Sequence, residues 1–201
     1  MISQQLTIAF IVFGAAMLFT PGPNNIMLMA SGLNYGFRRT LPHVAGVTLG
    51  FSFLVAVIGL GLGAVFAAYP VLHTILKYAG TAYLVYLSVM IARSGPAETG
   101  NTGEGRPMTF LGAAMFQWVN VKGWVIAVGA VTAYAAIAAY PLNIVMLSVL
   151  LFVIGLGSSL SWVVLGTSLQ PLVRSPRAVR IFNIVMAMLL LASLYPVLKE
   201  P

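Results

Sequence analysis

The chain contains no cysteine and no aspartate, and its acids are limited to Glu98, Glu104 and Glu200. Without thiols there are no disulfides and no thiolate metal sites, and without aspartate there is no aspartyl chemistry. Histidine is nearly as scarce. His43 and His73 are far apart in sequence with no acidic cluster beside either, so a metal site lacks a ligand set. Charge in general is rare: 6% of the 201 residues are charged, against roughly a quarter in a soluble domain, and 60% are hydrophobic. With a mean hydropathy of +1.00, the chain has the composition of an integral membrane protein whose main partner is the lipid bilayer.

What charge there is carries one sign. Ten Lys and Arg give a net charge of +7. They are dispersed in short connectors and form no stripe with interleaved aromatics, which argues against nucleic acid as a partner. Pro, Gly and charges divide the chain into six apolar stretches, at about 5–33, 43–67, 71–92, 108–139, 143–168 and 179–198, each long enough to supply the roughly 20 residues that a membrane helix needs. The N-terminal stretch has no basic leader and runs beyond signal-peptide length, so it is expected to be a retained first span. Arg38 and Arg39, Arg93 and Arg106, and Arg174, Arg177 and Arg180 all fall on one side of this arrangement. By the positive-inside rule that side is cytoplasmic, and both termini face out. The expected fold is all-α and polytopic, a single membrane domain over residues 1–201. Repeat 1 covers 1–92, a Gly-, Pro- and Glu-containing loop covers 93–107, and repeat 2 covers 108–201.

The two halves carry a faint internal match. "GAAMLFTPGPNNIML", residues 14–28, aligns without gaps on "GAAMFQWVNVKGWVI", residues 112–126, and sets Asn24 opposite Lys122. Three spans per half put the halves in opposite orientations, the 3+3 inverted repeat of many secondary transporters, with broken helices at corresponding positions in spans one and four. Pro21 and Pro23 lack amide donors, and Gly22 between them eases a non-helical conformation. Polar backbone freed at membrane depth must be buried in protein or line a wet cavity. A half-helix restarting near Asn24 would present free N–H groups and a positive dipole end to a carboxylate, with Asn24 and Asn25 as neutral partners. The alternative is that the prolines only kink span one for packing.

In span four, Gln117, Asn120 and Lys122 stand well inside the apolar stretch. A lysine at the centre of a span costs roughly 2.5–3.5 kcal/mol on insertion scales. With no acid in any span, its charge needs a carbonyl, water or an anionic ligand, unless it snorkels to the interface or stays neutral. The candidate substrate-binding set is therefore Pro21, Gly22, Pro23, Asn24, Asn25, Gln117, Asn120 and Lys122, with no catalytic residue, metal or cofactor. A wall without acids suits a small zwitterion better than a cationic amino acid, its ammonium resting on carbonyls freed by Pro21 and Pro23. Gly46 and Gly50, then Gly59 and Gly63, are spaced for close helix contact. His43 is expected at the membrane interface or, alternatively, as a proton carrier, and Asn183 either bonds between helices or faces the pathway. The serines of "GLGSSLSW", residues 155–162, lack a histidine base after them, since none follows His73, which disfavours an intramembrane protease. A non-transporting scaffold is the remaining alternative of a different class.

"TPGPNNIMLMASGLNYGFRRT", "HVAGVTLGF", "LKYAGTAYLVYLSVMIA" and "FQWVNVKGW" together resemble the LysE/RhtB family of bacterial amino-acid exporters, in order and over nearly the whole chain. The resemblance implies a six-span inner-membrane exporter of a small amino-acid substrate, driven by protons and assembled as a homodimer. Where many relatives have Asn-Pro-Lys this chain has Asn120-Val121-Lys122, so the second break is expected to be softer than the first. Where many carry an acid in span two this chain has Phe51. "VNVK" and the ending of "AGVTLGF" are most similar to the cysteine and O-acetylserine exporter branch; threonine, homoserine and leucine are the alternative substrates.

Overall fold

A computed structural model of the protein describes residues 2–69, 71–94, 106–173 and 175–199, and every regular element among them is helical. The order is α1 (Gln4–Phe19), α2 (Pro23–Tyr35), α3 (Phe37–Val57), a π-helical turn (Ile58–Leu62), α4 (Gly63–Ala68), α5 (Val71–Arg93), α6 (Phe110–Phe116), α7 (Val121–Ala133), a 3-10 turn (Ala135–Ile137), α8 (Leu142–Ser168), α9 (Pro176–Ala192) and α10 (Tyr195–Lys199). Side-chain caps open several of these helices, as uncapped amides in an apolar medium would be costly. Ser3 accepts from the Leu6 amide, Thr109 from Gly112 and Ser175 from Ala178, the last with Pro176 at the first helical position.

Three helical stretches, Phe37–Ala68, Val71–Arg93 and Leu142–Ser168, are long and apolar enough to cross a membrane. Two bent pairs, α1 with α2 and α6 with α7, bring the number to five when each pair is taken as one span. The expected sixth span corresponds to α9, whose 17 residues rise about 25 Å, short of a hydrocarbon core of roughly 30 Å unless α10 extends it. Span two begins at Phe37 rather than near His43, because Pro42 lies inside α3. The carbonyl that Pro42 leaves without its helical donor belongs to Arg38, which is exposed at the end of the helix, where that loss is tolerable. Residues 95–105, most of the expected connector, lie outside the described residues.

The outer surface is apolar in helical register. On α8, Val145, Val149 and Val153 recur every fourth residue and are all more than half exposed, a stripe suited to lipid. Inside, Phe10, Leu54, Trp124, Leu147 and Leu151 form a buried cluster joining α1, α3, α7 and α8. Lipid tails are as apolar as these side chains, so cohesion here comes from close packing more than from exclusion of water. Small residues make that packing possible. A Cβ at Gly46 would run into the Phe110 carbonyl, and one at Gly50 would stand 2.6 Å from the Ala114 Cα, so α3 and α6 meet along the expected glycine pair. A Cβ at Gly59 would lie 2.6 Å from Ile144 Cδ1, while Gly63 meets only Ile58, a near neighbour in the chain.

Candidate functional site

The two helix breaks meet. In the first, α1 ends at Phe19, Thr20 and Gly22 are extended, and α2 restarts with Pro23 as its first residue. In the second, α6 ends at Phe116 and α7 restarts at Val121 after an extended Asn120. The ungapped alignment of the halves pairs Pro23 with Val121, so both helices restart at the same position of the motif. The pairs bend by 56° and 65°, and the valine break is therefore no softer than the proline break, contrary to expectation. The physical reason is positional: the first residue of a helix has no intrahelical amide partner, so proline there is convenient but not required.

The carbonyls exposed by the first break are satisfied within the protein. Asn25 Nδ2 donates to Leu18 O at 2.9 Å and to Thr20 O at 2.9 Å, clamping the end of α1. Ser158 Oγ on α8 donates to Leu18 O at 2.7 Å. Lys122 Nζ, reaching across from α7, donates to Thr20 O at 2.8 Å and to Pro21 O at 3.4 Å. Of the partners expected for the lysine, it meets backbone carbonyls. Lys122 and Asn25 thus occupy the Leu18, Thr20 and Pro21 carbonyls, whereas the carbonyls that Pro21 and Pro23 leave without helical donors, four residues back, belong to Met17 and Phe19. Gly22 makes the reach possible, because a Cβ there would lie 2.8 Å from Lys122 Cδ and 2.9 Å from Nζ.

A reciprocal amide pair ties the breaks together. Asn24 Nδ2 donates to Gln117 Oε1 at 2.9 Å, and Gln117 Nε2 donates back to Asn24 Oδ1 at 3.1 Å. Gln117 is fully buried and braces Asn24 from behind. A pocket opens here, about 500 Å³ with the open solvent at its mouth included. Of the eight candidate residues, Gly22, Pro23, Asn24, Asn25, Asn120 and Lys122 line it, whereas Pro21 and Gln117 do not. The expectations missed the walls supplied by other helices: Val47, Thr48 and Phe51 from α3, and Leu151, Gly155, Ser158 and Ser159 from α8. The adjacent serines in the middle of an apolar span were the available signal. The phenyl ring of Phe51 stands where an acid was noted as missing.

The electrostatics have one sign. Glu98, Glu104 and Glu200 all lie outside the described residues, so no carboxylate balances Lys122 among them. Lys122 is the second residue of α7, where a cation adds to the positive end of the helix dipole. Neither α2 nor α7 has a side-chain cap on its first turn. Outside the pocket, His43 is 2% exposed and buried in the packing of α3, and neither ring nitrogen has a hydrogen-bond partner among the described residues. Asn183 bonds between helices, with Asn34 in a reciprocal pair at 2.7 and 2.9 Å and with the Ser94 carbonyl at 2.7 Å.

The LysE type translocator family matches residues 15–193 of this sequence. The chain belongs to that family. It is 34% identical over 191 residues, 94% of this chain and 95% of the relative, to a cysteine/O-acetylserine efflux protein of Escherichia coli O139:H28. It is also 34% identical to the protein so named in Escherichia coli K12, over 190 residues, 94% of this chain and 95% of that one. The counterpart in Shigella flexneri serotype 5b is 34% identical over 184 residues, 90% of this chain and 92% of the relative. No solved structure matches the chain. In this LysE type translocator the pocket lies between both broken helices, α3 and α8, with Lys122 in its wall.

Proposed function

We propose that this chain is a bacterial inner-membrane exporter of small neutral amino acids of the cysteine and O-acetylserine kind. The carrying observation is Lys122, a cation without an acid partner among the described residues, at the pocket where two uncapped helix N-termini converge. An incoming carboxylate meets Lys122 Nζ and the open amides of both half-helices, and the short polar side chain of the substrate faces Thr48, Ser158 and Ser159. The absence of acid from this wall disfavours lysine or arginine, whose extra cation would find no counter-charge.

In this reading residues 1–201 are one transporter domain of six spans, α9 with α10 supplying the last, and the halves 1–92 and 108–201 form the inverted repeat around the connector 93–107. The matched positions of the two breaks support it, as does the shared lining of the pocket by the first two spans of each half. The halves rock about the Asn24–Gln117 contact to expose the substrate alternately inside and outside, in exchange for a proton. The arginine distribution supports outward-facing termini, and the family resemblance supports a homodimer. The test is efflux from proteoliposomes loaded with labelled cysteine, O-acetylserine, threonine, homoserine, leucine or lysine, with and without an imposed pH gradient. Saturable, gradient-dependent efflux of cysteine or O-acetylserine is the expected result. Preferential export of lysine would overturn the substrate assignment, and efflux indifferent to the gradient would overturn the coupling.

A further inference from the structure

With the Leu18, Thr20 and Pro21 carbonyls of the first break held by Lys122 and Asn25, a further acceptor at the pocket would serve a substrate ammonium. The amide network around Gln117 identifies one. Gln117 Nε2 donates to the Ala113 carbonyl at 2.8 Å, which fixes the nitrogen end of this side chain because a carbonyl can only accept. Its Oε1 must then face the other way, toward Asn24 Nδ2 at 2.9 Å and Asn120 Nδ2 at 3.4 Å. The polarity set by one backbone carbonyl passes along the chain of amides, and the end of Asn120 left over is its oxygen. Asn120 is 3% exposed, lies in the pocket wall, and its Oδ1 is buried with no hydrogen-bond partner among the described residues. It also forgoes the usual role of an asparagine at this position, since it does not cap α7.

Two other polar side chains of the pocket wall are committed elsewhere. Thr48 Oγ1 donates to the Val44 carbonyl at 2.9 Å and Ser158 Oγ to Leu18 O at 2.7 Å. A buried acceptor without a donor is unfavourable, and a ligand that brings N–H groups relieves it. We propose that Asn120 Oδ1 receives the α-ammonium of the substrate, so that Asn120 selects amino acids over carboxylic acids that lack the amine. This assignment rests on the amino-acid exporter reading of the same pocket. Carboxylate and ammonium are divided between Lys122, the second residue of α7, and Asn120, which immediately precedes that helix.

The experiment uses the full chain in proteoliposomes, with labelled cysteine as substrate and 3-mercaptopropionate, which is cysteine without its amine, as competitor. Asn120→Leu is expected to raise the KM for cysteine roughly 10- to 100-fold, the loss of one charge-assisted hydrogen bond, with kcat little changed and inhibition by 3-mercaptopropionate as in the wild type. Asn120→Asp, which retains an acceptor, restores cysteine affinity relative to the leucine variant. An unchanged KM in Asn120→Leu overturns the assignment, as does parallel weakening of cysteine and 3-mercaptopropionate. Should the leucine variant not fold, a wild type that binds both compounds equally, or an aspartate variant that loses cysteine alone, overturns it too. Wild-type vesicles that move no cysteine sink the substrate assignment and this one together; wild-type transport with an indifferent Asn120→Leu sinks this one only.

Discussion

Substituting Gly22 by alanine moves the pocket lysine without removing it. The backbone at Gly22, with φ −170° and ψ 179°, is extended and open to any residue, so the new methyl group introduces no backbone strain. It would, however, stand 2.8 Å from Lys122 Cδ and 2.9 Å from Nζ, where ordinary contact begins at 3.4 Å. The lysine is flexible and gives way, and its bond to Thr20 O, 2.8 Å long, is stretched or lost. A hydrogen bond to a charged group contributes about 1.5–3 kcal/mol, and half-burial of the lysine places the expected effect near the lower end. Efflux KM should therefore rise roughly 10-fold. Replacing glycine by alanine at the start of α2 costs about 1 kcal/mol of stability at most, so thermal unfolding in detergent should change little. A double-mutant cycle with Lys122→Ala isolates the mechanism: if Gly22→Ala acts through the lysine, the double variant is no worse than Lys122→Ala alone. Wild-type efflux in Gly22→Ala, or losses that add in full, would refute the reasoning.

Two further substitutions test the fold that positions the pocket. Val121→Pro places proline at the first residue of α7, after an Asn120 whose φ of −82° and ψ of 95° are extended. Efflux and thermal stability should stay within about 1 kcal/mol of wild type, and loss of folded protein in size-exclusion chromatography would contradict the equivalence of the two breaks. Gly46→Ala forces a methyl group onto the Phe110 carbonyl, prying α3 from α6. Destabilisation of about 1–3 kcal/mol is expected in thermal unfolding, and an unchanged midpoint would show that the helices can separate at no cost.

Much of the chemistry was legible in the sequence because it depends on residue type and spacing. The membrane class follows from the scarcity of charge, the first break from two prolines around a glycine, and the second from an ungapped repeat that pairs Pro23 with Val121. Lys122 stood out because a cation inside an apolar stretch must find a partner. The scarcity of acid narrowed that partner to carbonyl, water or ligand, but the choice among them depends on distance. Only the folded chain brings Thr20 O within 2.8 Å of a side chain 102 residues away.

The tertiary structure also decided roles that composition leaves equal. Asn24, Asn25, Gln117 and Asn120 all carry amides and all lie beside a break. Packing makes Asn25 a clamp on α1, Gln117 a buried brace and Asn120 the residue with an unspent acceptor. An amide has both a donor and an acceptor end, and which end is spent is set by neighbours that a linear sequence does not specify. Val47 and Leu151 were invisible for the same reason: they have the ordinary chemistry of a membrane helix and become pocket residues through the way the helices pack. Sequence determined that the chain enters the membrane and where its helices break; three-dimensional packing decided what meets at those breaks, because hydrogen bonds and van der Waals contacts act over a few ångströms of space, whatever the separation along the chain.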